Sequence, residues 1–144
     1  MTEQEAREFV ARHHRGVLAT LKRDGMPQLS NVVYALDDDG RIKISTTATR
    51  AKTHNVRRTG RAALAVQGDN WGQYLVVEGR AEVLAGDVLA DLRRIYVKIR
   101  GEEHPDWAEF DAAMRREQRV LLALDLDKLY PLERGGGAAI RFGR

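Results

Sequence analysis

The sequence predicts a mainly β domain of the α+β class, a six-stranded antiparallel barrel with helices at its periphery. Two observations carry this expectation. Five strand-like runs follow one another with turn residues between them and one helix inserted. Two helices then come in succession and an apolar strand closes the order, unlike the regular strand–helix alternation of a parallel sheet. The 144 residues contain no internal repeat and no linker-like stretch, so a single domain over 1–144 is expected.

Thr2 followed by Glu5 resembles a capping box and opens an amphipathic helix within 1–15, with Phe9 and Val10 on one side. Gly16 to Leu21 alternates as a strand, Lys22-Arg-Asp-Gly25 supplies a hairpin turn, and Pro27 to Leu36 returns as a longer strand. Asp37-Asp-Asp-Gly40 is the next turn, and Arg41-Ile-Lys-Ile-Ser-Thr46 is the third strand. Arg50 to Arg58 reads as a helix, Arg61 to Gln67 as the fourth strand, and Gln73 to Leu84 as the fifth, after a turn at Gly68-Asp-Asn70. Asp87 is the expected cap of a helix burying Leu89, Leu92, Ile95, Tyr96 and Ile99 along one stripe. Gly101 to Pro105 breaks that helix, another covers Asp106 to Glu117, and Val120 to Leu126 is the sixth strand. The tail over 131–144, with its glycines at 135–137, is expected to be mobile or to fold against a partner.

Composition narrows the function classes. Apolar residues at 43% and charged residues at 31% describe a folded, water-facing protein. The absence of cysteine excludes disulfides, thiolate metal sites and cysteine nucleophiles. The N-terminus lacks the apolar stretch of a signal peptide and no run approaches membrane-spanning length, so the expected location is the cytoplasm, away from membranes. His13 and His14, adjacent on a helix, point about 100° apart and make no metal pair. The net charge of +3 does not by itself indicate nucleic acid, and no base-stacking aromatics interleave the basic segment.

That segment is the informative part. Between Gly40 and Gly68 there is no Asp or Glu, while Arg41, Lys43, Arg50, Lys52, Arg57, Arg58 and Arg61 all fall there. The hydroxyls of Ser45, Thr46 and Thr47 precede a helix whose first-turn N–H groups lack partners, a combination that receives phosphate. With the helix opening at Thr49, Arg50 and Lys52 stand in its first turn, where cations oppose the helix dipole unless an anion lies between them. The competing reading is a solvated basic face. Arg57, Arg58 and Arg61 suit the dipole at the helix C-terminus and serve either solubility or attraction of an acidic tail. Asn31, mid-strand among apolar neighbours, is read either as a buried amide satisfied by a ligand or as an edge position satisfied by backbone. Glu78 and Glu82 on one strand face are expected to be ion-paired.

Gly16-Val-Leu-Ala-Thr-Leu-Lys-Arg-Asp-Gly-Met-Pro-Gln-Leu-Ser-Asn-Val33 resembles the first hairpin of the split-barrel flavoprotein superfamily related to pyridoxamine 5′-phosphate oxidase. Thr49 to Arg58 with Arg61 to Val66 is similar to its phosphate-binding segment and following strand, and Leu75 to Val83 to its fifth strand. The strings Pro-Gln-Leu-Ser-Asn31 and Arg-Ala-Lys-Thr-His-Asn-Val-Arg-Arg58, with residues 106–124, resemble the actinobacterial deazaflavin-dependent oxidoreductases that use coenzyme F420.

The resemblance implies a split barrel forming a homodimer, with two cofactor sites at the subunit interface. It places the phosphate at Arg50 and Lys52 with Ser45, Thr46 and Thr47, and the ring system along Gln28, Leu29, Ser30 and Asn31. The partner subunit would close the site near Trp71, Gly72 and Tyr74. The implied activity is hydride transfer between coenzyme F420 and an unsaturated or quinone-like small molecule. The alternatives are flavin mononucleotide (FMN) as cofactor, in an oxidase or a reductase, and a non-catalytic protein that stores or delivers a flavin-type cofactor. No acid–base pair stands out in the sequence, in keeping with redox chemistry in which the cofactor carries the difficult step.

Overall fold

The computed structural model describes residues 1–132; the expected tail lies outside the described residues except for Pro131 and Leu132. Helix α1 (Glu3–Arg12) starts at the anticipated capping box, with Thr2 and Glu5 bonded reciprocally, and buries Ala6, Phe9 and Val10. Strands β1 (Arg15–Leu21) and β2 (Pro27–Val33) form a hairpin around Lys22–Gly25. The chain continues through Tyr34 into the two-residue β3 (Ala35–Leu36), turns, and returns as β4 (Ile42–Thr47). Then come α2 (Ala51–Thr59), β5 (Arg61–Gln67), β6 (Tyr74–Leu84), α3 (Leu89–Arg100), α4 (Trp107–Arg116), β7 (Arg119–Leu124) and β8 (Lys128–Tyr130).

All pairings among the described strands are antiparallel, in the order β2-β1-β5-β6-β7-β4-β3, with β8 paired to β6. The outermost members of that order, β2 and β3, are one run of chain interrupted at Tyr34. The sheet therefore curls until its two edges are joined covalently, and β2 lies beside β4 without bonding to it. This gap is the split of the barrel. Tyr34 is fully buried and its hydroxyl donates to the Val10 carbonyl at 2.7 Å, which ties the break to α1. Burial pushes the Tyr34 phenol well above its ordinary pKa.

Two cores result. One fills the barrel and includes Leu18, Ile42, Ile44, Leu64, Val77 and Leu122; the other seats α3 and α4 on the back of the sheet through Leu92, Ile95, Phe110 and Leu121. Trp107 packs edge-on to Tyr96 and Phe110 in the second.

The expected six strands are present, and the count differs for two local reasons. The long second strand breaks at Tyr34, and a three-residue β8 adds to the edge of β6. The cap of α3 is Val88 and not Asp87, with no side-chain cap bond, and Arg50, not Thr49, is the residue that opens α2.

Candidate functional site

The acid-free segment divides sharply once folded. Arg41 pairs with Asp39 at 3.1 Å and Glu82 at 2.7 Å. Lys43 is 3% exposed, and its ammonium meets Asp37 at 2.7 Å and Asp39 at 3.0 Å. Arg94 reaches from α3 to the same Asp37 at 2.8 Å, and that hydrogen bond, with Lys43 beside it, holds the carboxyl well below the usual carboxylate range. These strand cations are neutralised by Asp37 and Asp39 of the turn and, for Arg41, by Glu82 of β6, so neither is open to a ligand. The sequence separates them from their carboxylates by turns that only the fold brings back.

Helix α2 is different. Arg50 and Lys52 form no ion pair with any described residue. The N-cap Arg50 gives no side-chain cap bond, and the first turn has no acidic residue. The N–H groups of Thr53 and His54 return to the Arg50 carbonyl, which leaves those of Ala51 and Lys52 without an intrahelical acceptor. Partial burial, and then Arg50 and Arg119, lower the pKa of Lys52. Arg119 is absent from the expected site; the β4–β7 register sets it directly opposite Thr47. It also bonds Glu117 at 2.8 Å, so its charge is partly met. The geometry thus gathers three cations and two free N–H groups, which is the chemistry of an anion receptor.

The three hydroxyls of β4 do not converge as the sequence reading had them. Alternation puts Thr46 on the barrel side with Ile42 and Ile44, and Ser45 and Thr47 on the opposite side, where Ser45 faces across to Leu121. The Thr47 carbonyl anchors α2 by accepting from Thr53 Oγ1 at 2.8 Å and from the Arg50 N–H at 3.3 Å. Thr46 Oγ1 is buried without a hydrogen-bond partner among the described residues, and so is Ser30 Oγ on β2. A buried orphan hydroxyl costs free energy, and two of them on the strands flanking the split fit a ligand that would satisfy them.

On β2 the same alternation separates the ring-binding residues. Gln28 and Ser30 share the inner side with Val32, whereas Leu29 and Asn31 face outward. Asn31 is exposed in the single chain, opposite Val17, and the buried-amide reading does not hold there. Gln28 Oε1 accepts from Asn55 Nδ2 at 3.0 Å, and Asn55, 6% exposed on α2, also donates to Thr20 at 3.1 Å and accepts from Arg58 at 3.2 Å. Asn55 was not singled out by sequence, although an Asn on the inner face of a helix is the available signal. Arg58 is spent on this network and on the Leu21 carbonyl, while Lys22, Arg23, His54 and Arg57 line a cavity of ≈ 760 Å³ beside it.

Trp71 and Tyr74 lie elsewhere. Tyr74 pairs with Gln67 at the end of the β5–β6 hairpin remote from Arg61, where α2 delivers the chain. Six strand residues at about 3.3 Å each put roughly 20 Å between those ends. Trp71, 79% exposed, projects from the turn. Neither lies at the end of β5 that follows the C-terminus of α2. Glu82 is ion-paired as anticipated, but Glu78 instead accepts from the Tyr130 hydroxyl at 2.8 Å. Among the described residues no three His, Cys, Asp or Glu side chains cluster as metal ligands, and no helix is long and apolar enough to cross a membrane.

Comparison with known proteins agrees with this architecture. The family model for pyridoxamine 5′-phosphate oxidase matches residues 2–133. The chain belongs to the pyridoxamine 5′-phosphate oxidase family. Among solved structures it is similar to the conserved hypothetical protein Rv2991 of Mycobacterium tuberculosis, at 26% identity and a TM-score of 0.73, covering 97% of this chain and 95% of that one. It is also similar to a protein named F420 reductase, at 24% identity and a TM-score of 0.64 over 85% and 94% of the two chains. A putative pyridoxamine 5′-phosphate oxidase of Listeria innocua shares 19% identity and a TM-score of 0.64 over 89% and 95%. At these identities the last two likenesses establish the fold.

Proposed function

We propose that this protein is a coenzyme F420-dependent oxidoreductase that exchanges a hydride with an unsaturated or quinone-like small molecule. The observation that carries the proposal is the cation cluster at the start of α2, where Arg50 and Lys52, without an ion pair among the described residues, and Arg119, partly met by Glu117, come together beside two N–H groups that have no intrahelical acceptor. The residues fit a phosphate-bearing cofactor. Arg50 and Lys52 would hold the phosphoryl group, and Gln28, with Ser30 and Thr46 and their unsatisfied hydroxyls at the split, would meet the ring system. A bound deazaflavin supplies hydride-transfer chemistry; the chain's own part is to bind, orient and exclude water. The likeness of Pro27–Asn31 and Arg50–Arg58 to the F420-using branch supports the choice of coenzyme over FMN. The cavity lined by Lys22, Arg23, His54, Arg57 and Arg58, with Asp24 as its one carboxylate, has an excess of positive charge that suits an acidic tail.

The working unit is a homodimer in this proposal. Val17, Leu29 and Val33 are 37%, 63% and 49% exposed on the outer face of the β1–β2 hairpin, an apolar surface that a second copy would cover. That copy would bring its Trp71 and Tyr74 to the site and would cover Asn31, which lies on the same outer face. The test is oxidation of reduced coenzyme F420, followed by its absorbance, on adding quinones and conjugated enones. Wild type should turn over at least one acceptor, and Arg50→Ala should lose most of that rate at sub-saturating coenzyme. A protein that binds the coenzyme but oxidises it with no acceptor is a carrier and not an enzyme.

A further inference from the structure

A guanidinium only donates hydrogen bonds. Arg58 Nη1 lies 3.2 Å from one terminal atom of the Asn55 side chain, so that atom is the oxygen, and the amide nitrogen points the opposite way. There Nδ2 donates to Thr20 Oγ1 at 3.1 Å and to Gln28 Oε1 at 3.0 Å. Gln28 consequently turns its oxygen into the helix and its Nε2 away from it. Nε2 has no hydrogen-bond partner among the described residues and is not a buried orphan, so it is open to a ligand. The arrangement has little slack: Asn55 is 6% exposed, and a second Arg58 nitrogen is held by the Leu21 carbonyl.

We propose that Arg58 and Asn55 act as positioning residues that fix the Gln28 amide as a donor toward the bound cofactor, so that the ligand edge meeting β2 must carry an acceptor such as a ring carbonyl. This rests on the reading of β2 as the surface along which the cofactor lies. Ser30 Oγ, two residues along on the same side of the strand, is buried without a protein acceptor and can donate alongside it. Arg58 and Asn55 therefore select ligands by hydrogen-bond polarity without touching them.

Asn55→Asp tests the relay. Its carboxylate still pairs with Arg58 but has no N–H, so Gln28 reverses, donating inward and presenting its oxygen to the ligand. Fluorescence titrations with coenzyme F420 and FMN should show affinity about ten-fold weaker or worse, since two acceptors then face each other. In a Gln28→Ala background the same change should leave affinity unmoved, which a merely structural role would not. Affinity within two-fold of wild type for Asn55→Asp alone, or an equal loss in both backgrounds, overturns the proposal. If wild type binds neither compound, the cofactor reading fails and the relay is judged by side-chain amide NMR. Slower exchange of the Gln28 N–H₂ protons in Asn55→Asp supports the relay, and unchanged exchange overturns it. If Asn55→Asp does not fold, Gln28→Glu, which keeps the acceptor for Asn55 and removes the outward donor, should weaken binding at least as much; unchanged affinity there overturns the proposal too.

Discussion

Replacing Lys52 with methionine should stabilise the unliganded protein and weaken anion binding at once. In the free protein this ammonium is partly buried, repelled by Arg50 and Arg119, and placed in the first turn of a helix whose dipole disfavours it. No carboxylate among the described residues offsets those terms. The dipole contribution is about 0.3–1 kcal/mol at an exposed end. Allowing for solvent screening of the two neighbouring charges, the total gain on removal is roughly 0.5–1.5 kcal/mol. Methionine keeps the aliphatic stem, so little packing is lost. Against this, the variant loses one charge-assisted hydrogen bond to a phosphoryl group, about 1.5–3 kcal/mol, or roughly 10- to 150-fold in affinity. Urea denaturation of the free protein and fluorescence titration with FMN and coenzyme F420 read the two quantities separately. A variant destabilised by 1 kcal/mol or more would show that Lys52 holds the fold and not a ligand. The lowered pKa adds a pH sign: anion affinity should fall as pH rises, and should begin to fall below the ordinary lysine value of about 10.4.

Asp37→Asn should cost about 2–4 kcal/mol in urea denaturation, less than a fully orphaned buried pair because Lys43 keeps Asp39 and Arg94 keeps Asp91. Asp38→Asn, which loses only an exposed contact to Lys98, should cost less than about 1 kcal/mol. Because the folded pKa of Asp37 lies below its unfolded value, its contribution is full above about pH 4 and is lost as pH falls toward the folded value; the acid limb should flatten in Asp37→Asn. Gly79→Ala should lower stability by at least about 2 kcal/mol in thermal denaturation, since a Cβ there would meet the Asp125 carbonyl oxygen at 2.0 Å. Leu29→Lys with Val17→Asp should convert a dimer to monomer in light scattering without loss of secondary structure; a wild-type monomer at micromolar concentration would contradict the dimeric site.

Much of the fold was legible because alternation and turn chemistry coincide along the chain. Arg61 to Gln67 reads as a strand and is one, and Thr2 with Glu5 caps α1 as their spacing says. β8 was not legible, since three residues with one buried leucine carry no period. The break at Tyr34 depends on Val10, 24 residues away, which no local pattern contains. The site was half legible. Lys52 stands in the first turn of α2 as the sequence reading has it, whereas Arg50 is the N-cap, and Lys43, which the sequence counts with the basic segment, does not belong to the site. Both faces of β4 are in fact covered, one by the barrel core and the other by α3, so Lys43 is buried with its own carboxylates. Ser45, Thr46 and Thr47 read as one hydroxyl cluster along the sequence, although strand alternation assigns them to two faces. Arg119 could be placed only through the β4–β7 register.

The most direct measurement is an equilibrium titration of the purified protein with coenzyme F420 and with FMN, run on wild type and on the Arg50→Ala, Lys52→Ala double variant. Wild type should bind the deazaflavin with micromolar or tighter affinity and in preference to FMN, and the double variant should bind it at least about 100-fold more weakly. Equal affinity in the two proteins, or no binding of either compound by wild type, would contradict the anion receptor at the head of α2.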